Sequence, residues 1–149
     1  MPKKLILLHK VLIICFLATL TSCKDNVHVK DLSNIELDIS VTRFEQALFE
    51  CNSVDDVNQL ATQYPKFYTT YTQSIVAPNV QTPDGNAEDV AVNLYKYIAD
   101  KDMYRLYEKT QEVFGDFEEQ KKGLNNLAKY IQSYFPAEKI ENTTTFIST

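Results

Sequence analysis

Residues 87–134 read AEDVAVNLYKYIADKDMYRLYEKTQEVFGDFEEQKKGLNNLAKYIQSY, and the spacing of their apolar side chains decides the fold class. Val90, Leu94 and Tyr97 or Ile98 share one helical face, Met103, Leu106, Tyr107 and Val113 share another, and Phe117, Leu124, Leu127, Ile131 and Tyr134 form a longer stripe. Recurrence three and four residues apart places side chains on one side of an α-helix. Gly115 separates the second segment from the third. Consecutive amphipathic helices with short connections fold back on one another to bury their stripes. The expected architecture is therefore mainly α, a bundle of about five to six helices in which these three are bundle members.

Upstream, the period changes from two to helical. In NIELDISVTRF, Ile35, Leu37, Ile39 and Val41 alternate with polar or small residues, which predicts a half-buried strand. From Arg43 onward Phe44, Ala47 and Leu48 predict a short helix closing near Cys51. A second helix is expected from Ser53, whose hydroxyl can cap free amides while Asp55 and Asp56 complement the helix field, and it stops at Pro65. Pro65 then opens PKFYTTYTQSIV, with Phe67, Tyr71 and Ile75 four residues apart. APNVQTPDGN reads as a loop, with two prolines and Asp84-Gly85. Beyond Pro136 the β-branched residues up to Ile147 predict an extended strand. A terminal strand needs a neighbour, and the strand near residue 35 is one candidate; strands beyond residue 149 are the other.

The opening line carries a different signal. Lys3, Lys4 and Lys10 precede the apolar run VLIICFLATL, which is shorter than the roughly 20 residues a bilayer-spanning helix needs. A basic start, a short apolar core and small residues before a cut site describe a secretory signal. Leu20-Thr21-Ser22-Cys23 adds the pattern of a bacterial lipobox, which makes Cys23 the lipid attachment site and first mature residue. The expected organisation is a lipoprotein signal peptide over 1–22, a polar tether over 23–34 and a helical domain over 35–149. Anchoring through acyl chains on Cys23 makes the membrane a partner. Lys24 and Asp25 partly match the lysine-plus-acid signal of surface-exposed lipoproteins, although Asn26 stands where a second acid is usual.

Charge and composition exclude several classes. Cleavage before Cys23 removes three lysines and no acid, so the formal charge moves from −5 to −8, which argues against binding a phosphate backbone. Nucleic acid is not an expected partner. With Cys15 cut away and Cys23 acylated, Cys51 is the one remaining cysteine and reads as a small buried hydrophobe. The mature chain keeps one histidine, His28, in the tether, so an HExxH zinc site has no ligands to use. The same shortage removes histidine-based catalytic triads. Asp55-Asp56 and Glu118-Glu119 are adjacent pairs near helix starts, which suit the helix dipole better than acid–base catalysis. Three scattered glycines cannot form a phosphate-cradling loop. No catalytic residue, metal or cofactor is expected.

Tyr64, Tyr68 and Tyr71 share one helical face beside Phe67. They are the candidate binding surface for a glycan or peptide, the competing reading being core packing with hydroxyls at the rim.

The lipobox, SNIELDISVTRFEQALFE, LATQYPKFYTTYTQSIV, the helices from Tyr95 to Pro136 and the closing TTTFIST together resemble the N-terminal part of the GldB family of gliding motility lipoproteins of the Bacteroidota. The likeness covers essentially the whole mature chain. It implies a membrane-anchored, non-enzymatic lipoprotein of the cell envelope, at the outer rather than the inner membrane, working with other gliding motility proteins and with type IX secretion. It also implies relatives about twice as long, whose second half is similar to zinc-metallopeptidase domains; on that expectation this chain is truncated before a further α+β domain. Two alternatives stay open: the N-terminal fragment of a protease-like lipoprotein whose catalytic half is missing, and a surface glycan- or peptide-binding lipoprotein.

Overall fold

Apolar stripes set where the helices run, and one long-range strand pairing closes them into a domain. The computed structural model describes residues 30–140 and 142–148. Cys23 and His28 lie outside the described residues. Leu32–Thr149 forms one unit, and its elements are taken here in chain order.

Strand β1 spans Ser40–Arg43 and runs directly into helix α1, Phe44–Phe49. The alternation read from Ile35 to Val41 survives as burial: Ile35 and Leu37 are half-buried and Ile39 is fully buried. The ladder itself is shorter than expected, since pairing begins only at Ser40. Ahead of it the Ile39 amide donates instead to the Asn125 side-chain oxygen, 2.8 Å away, so period-two burial persists without a partner strand. Helix α2, Val54–Gln63, starts as expected: Ser53 Oγ accepts from the Asp56 amide at 3.1 Å, and the Asp56 carboxylate accepts from the Asn52 amide at 2.9 Å.

Helix α3, Pro65–Thr70, continues into a widened π turn over Tyr71–Ile75, where the Val76 amide bonds back to Tyr71 O at 2.9 Å. The extra residue rotates the stripe so that Tyr71, Thr72 and Val76 are all buried. The segment expected to be a loop is corrected in its first half: Ala77–Val80 is a helical turn, α4. Pro78 is tolerated because the first turn of a helix needs no amide there, and burying Val76 and Val80 holds the turn on the core.

Helix α5, Ala87–Ala99, buries Val90, Ala91, Leu94 and Ile98, as its spacing requires. Helix α6, Lys101–Phe114, is capped by Asp100, whose Oδ1 accepts from the Asp102 and Met103 amides at 2.9 and 3.2 Å. It ends at Gly115, whose φ of +47° and ψ of −122° suit only glycine. Helix α7, Glu118–Tyr134, follows, and strand β2, Asn142–Thr145, pairs parallel to β1 in the register Ser40↔Asn142 to Arg43↔Thr145. Among the described residues the chain thus has seven α-helices and one two-stranded sheet.

The core is aromatic at its centre. The Phe44 ring meets those of Tyr64, Phe67 and Tyr71 edge-on at 5.6, 4.9 and 5.2 Å. Leu48, Val57, Leu60, Leu94 and Ile147 close around it. Ile147 joins β2 to this centre, and its carbonyl accepts from the buried Tyr71 hydroxyl at 2.9 Å.

Two of the three bundle stripes depart from expectation. On α6, Met103 and Tyr107 pack on the core, but Leu106 and Val113 are 42% and 62% exposed. On α7 only Ala128 is buried, while Leu127 and Tyr134 are 54% and 59% exposed. Polar docking explains α7. Asn125 Nδ2 donates to Asp38 Oδ1 at 3.0 Å and Lys121 Nζ lies 3.1 Å from the same carboxylate, in addition to the Asn125–Ile39 bond. At about 100° per residue, the side chains of Lys121, Asn125, Ala128 and Gln132 are turned roughly 100° from the Leu124–Leu127–Ile131–Tyr134 stripe. Hydrogen bonds therefore orient this helix, and its apolar stripe is only partly covered: Phe117, Leu124 and Ile131 are half-buried, while Leu127 and Tyr134 face solvent.

Candidate functional site

The parallel pairing of first and last strands brings together residues about a hundred positions apart, and a cleft opens beside them. Its volume is ≈ 280 Å³, with Arg43 and Glu45 on one side, Thr110, Phe114 and Phe117 on the α6–α7 corner, and Thr144 to Ile147 on the other. Glu45 is only 5% exposed, on the first turn of α1. Arg43 Nε donates to one carboxylate oxygen and Thr145 Oγ1 to the other at 2.6 Å. A buried carboxylate needs such partners to remain charged at tolerable cost.

Arg43 ties the site to the next corner. Its Nη1 donates to Gly115 O at 3.0 Å, its Nη2 reaches Gln111 Oε1 at 3.5 Å, and its guanidinium lies 5.0 Å from the centre of the Phe117 ring. Phe117 adopts a left-handed backbone, φ +64°, which a bulky residue enters only at a cost of about 1–2 kcal/mol. Its stacking against Arg43 offsets part of that cost. Gln46 Nε2 also donates to Gln111 Oε1, at 2.7 Å. Gln111 Nε2 is buried without a hydrogen-bond acceptor.

These partners leave little free chemistry in the cleft. Arg43 and Glu45 neutralise each other, and the Thr110 hydroxyl donates to the carbonyls of Leu106 and Tyr107 at 3.0 and 2.7 Å. Elsewhere, burial and then the nearby Asp56 and Glu50 carboxylates push the Cys51 thiol up to about 11, and its Sγ lies 3.4 Å from Ala47 O. A thiol so raised is a poor nucleophile at neutral pH. No group of three His, Cys, Asp or Glu side chains with metal-site geometry occurs among the described residues. What the cleft offers is shape and apolar contact: Phe114 and Phe146 are 43% and 42% exposed at its rim.

The tyrosine trio is placed inward. Tyr71 is fully buried, with its hydroxyl committed to Ile147, and Tyr64 and Tyr68 are half-buried against the core. Burial raises the Tyr68 and Tyr71 hydroxyls above their ordinary range, so they stay protonated. The acidic pair at Asp55-Asp56 serves the α2 start, where the Asn52 amide and then the Ser53 hydroxyl hold Asp56 below the usual carboxylate value. Sequence reasoning missed Arg43, Glu45 and Thr145. The signal present was two opposite charges flanking Phe44 at the point where the period changes, but their partner strand lies at the far end of the chain.

A family model described as gliding motility protein GldB matches residues 25–149. No curated protein and no solved structure matches the chain.

Proposed function

We propose, from the premise that the chain belongs to the GldB family of gliding motility proteins, that it is a non-enzymatic, lipid-anchored component of the gliding machinery of the cell envelope. The observation that carries this reading is the extent of the family match, which runs over 25–149 and takes in every described element. The lipobox ending at Cys23 supports anchoring by acyl chains, because two or more hold a protein on a bilayer where one holds it weakly. Residues 23–34 then act as a tether, and other envelope proteins of the motility and type IX secretion machinery are its partners, at the outer membrane.

The neutralised Arg43–Glu45 pair and the protonated Cys51 thiol support a scaffold rather than a catalyst. Deletion of the gene tests the role directly: colony spreading is lost, and it returns with the wild-type gene but not with Cys23→Ala. Labelled palmitate enters the wild-type protein and not the variant. Unchanged spreading by the deletion strain refutes the motility role, and label persisting in Cys23→Ala refutes the anchor.

A further inference from the structure

We propose that the β1–β2 pair is a force-bearing clamp: tension arriving through the tether loads the ladder in shear, along the strands, and the domain stays folded while its anchor is pulled. The source of that tension rests on the lipid-anchor reading above; the resistance follows from the fold alone.

Strand direction fixes how the load falls. β1 is the first described element after the tether and runs into Phe44 with no intervening loop. β2 lies beside it in the same direction, from Ser40↔Asn142 to Arg43↔Thr145. β2 is itself fixed to the core just beyond its end, where Ile147 is buried and its carbonyl accepts from the Tyr71 hydroxyl at 2.9 Å. Tension on the residues ahead of Ser40 therefore draws β1 past a strand that does not follow. Bonds of a parallel ladder are evenly spaced along the strands, so a sliding load falls on them together. Were β2 antiparallel, the chain ahead of β1 and the chain after β2 would leave from the same end, and tension between them would open the bonds one at a time.

Neither strand has slack. A slide of one residue turns each side chain to the opposite face, so no adjacent register offers a resting position. A longer slide draws the fully buried Phe44 away from the rings of Tyr64, Phe67 and Tyr71, and draws Ile39 from its buried position ahead of the ladder. Side chains tie both ends of the pair. The Ser40 hydroxyl donates to Asn142 Oδ1 at one end, and at the other Thr145 Oγ1 donates to Glu45 Oε2 at 2.6 Å and lies 3.5 Å from Thr42 O. Ahead of the ladder the Ile39 amide is held by Asn125 at 2.8 Å and Asp38 by Lys121 at 3.1 Å, so tension meets α7 as well as β2. These ties offset the shortness of the ladder, four residues on each strand.

Single-molecule pulling on the full chain, purified without acyl chains, tests the clamp apart from anchoring and motility. Handles at residues 23 and 149 shear the ladder. Handles at residue 23 and at Glu138, exposed between α7 and β2, pull on one end of the ladder and peel it. Forced unfolding reads the unfolding rate. At equal force the sheared chain is expected to unfold roughly tenfold more slowly than the peeled one, because bonds that must break together resist more than bonds broken in turn. Thr145→Val keeps a branched strand residue but removes the ties to Glu45 and Thr42; it is expected to speed unfolding about tenfold in the sheared geometry and clearly less in the peeled one, where that end opens last. Equal rates in the two geometries overturn the proposal. An equal effect of Thr145→Val in both overturns it too, since the residue then serves general stability alone. Absence of palmitate label from the wild-type protein removes the anchor as the source of the load, whereas equal rates here remove the clamp and leave the anchor standing.

Discussion

Glu45→Ala is the substitution that most directly tests how the domain is held closed. It removes the carboxylate that accepts from both Arg43 and Thr145, and so cuts a link between α1, β1 and β2. Removing one partner of a buried ion pair costs about 3–5 kcal/mol, because the other charge is left uncompensated. The Arg43 side chain is 14% exposed and retains Gly115 O and the Phe117 ring, so the lower end, about 3 kcal/mol, applies. That is a large share of the roughly 5–15 kcal/mol that stabilises an ordinary domain. Urea unfolding followed by far-ultraviolet circular dichroism measures it, as a lower midpoint at unchanged slope. Arg43→Met is expected to be less damaging in the Glu45→Ala background than alone, with coupling of about 1–3 kcal/mol. A loss below about 1 kcal/mol, the range of a solvated surface pair, or strict additivity of the two changes, refutes the reasoning.

Three further outcomes are expected. Ile147→Ala empties a core position reached from the last strand and should cost about 2–5 kcal/mol in the same unfolding assay, with Thr143–Thr145 amides losing protection first; a loss near zero shows that β2 does not close the core. Asp38 is held below its ordinary value of 3.8 by the Asn125 amide and then by Lys121. Its folded value is therefore lower than its unfolded one, so its contribution is full above 3.8 and is lost as the pH falls through the folded value; Asp38→Asn should flatten the acid limb of the stability curve, and an unaltered limb contradicts the assignment. The Cys51 thiol, moved from 9.0 to about 11, should be alkylated by iodoacetamide at neutral pH about a hundredfold more slowly than an unhindered cysteine, as read by peptide mapping; a rate equal to the free thiol's rules out the burial effect.

Much of the helical plan was legible because it depends on neighbours in sequence. Ser53 caps α2 through a hydroxyl three residues from the amide it serves, and Val90, Leu94 and Ile98 share a face because the helix repeats every 3.6 residues. Gly115 ends α6 for an equally local reason. The alternation from Ile35 to Val41 predicted burial correctly and placed the paired strand too early, since burial needs only the period whereas pairing, which begins at Ser40, needs a partner. Ala77–Val80 was hidden by Pro78, a residue that breaks helix interiors but is tolerated in a first turn. The π turn at Tyr71–Ile75 left the apolar spacing of Phe67, Tyr71 and Ile75 unbroken.

By itself, then, the chain's order of residues determined where helices begin, how they repeat and that a family of gliding motility proteins is its home. Only tertiary structure decided that Thr145 lies on Glu45, that β2 runs parallel to β1, and that α7 turns Asn125 rather than Leu127 toward the domain. The physical reason is range. Hydrophobic period and capping act over a few residues, whereas strand register and the choice between a polar dock and an apolar stripe depend on groups about a hundred residues away, and no local pattern encodes their distance.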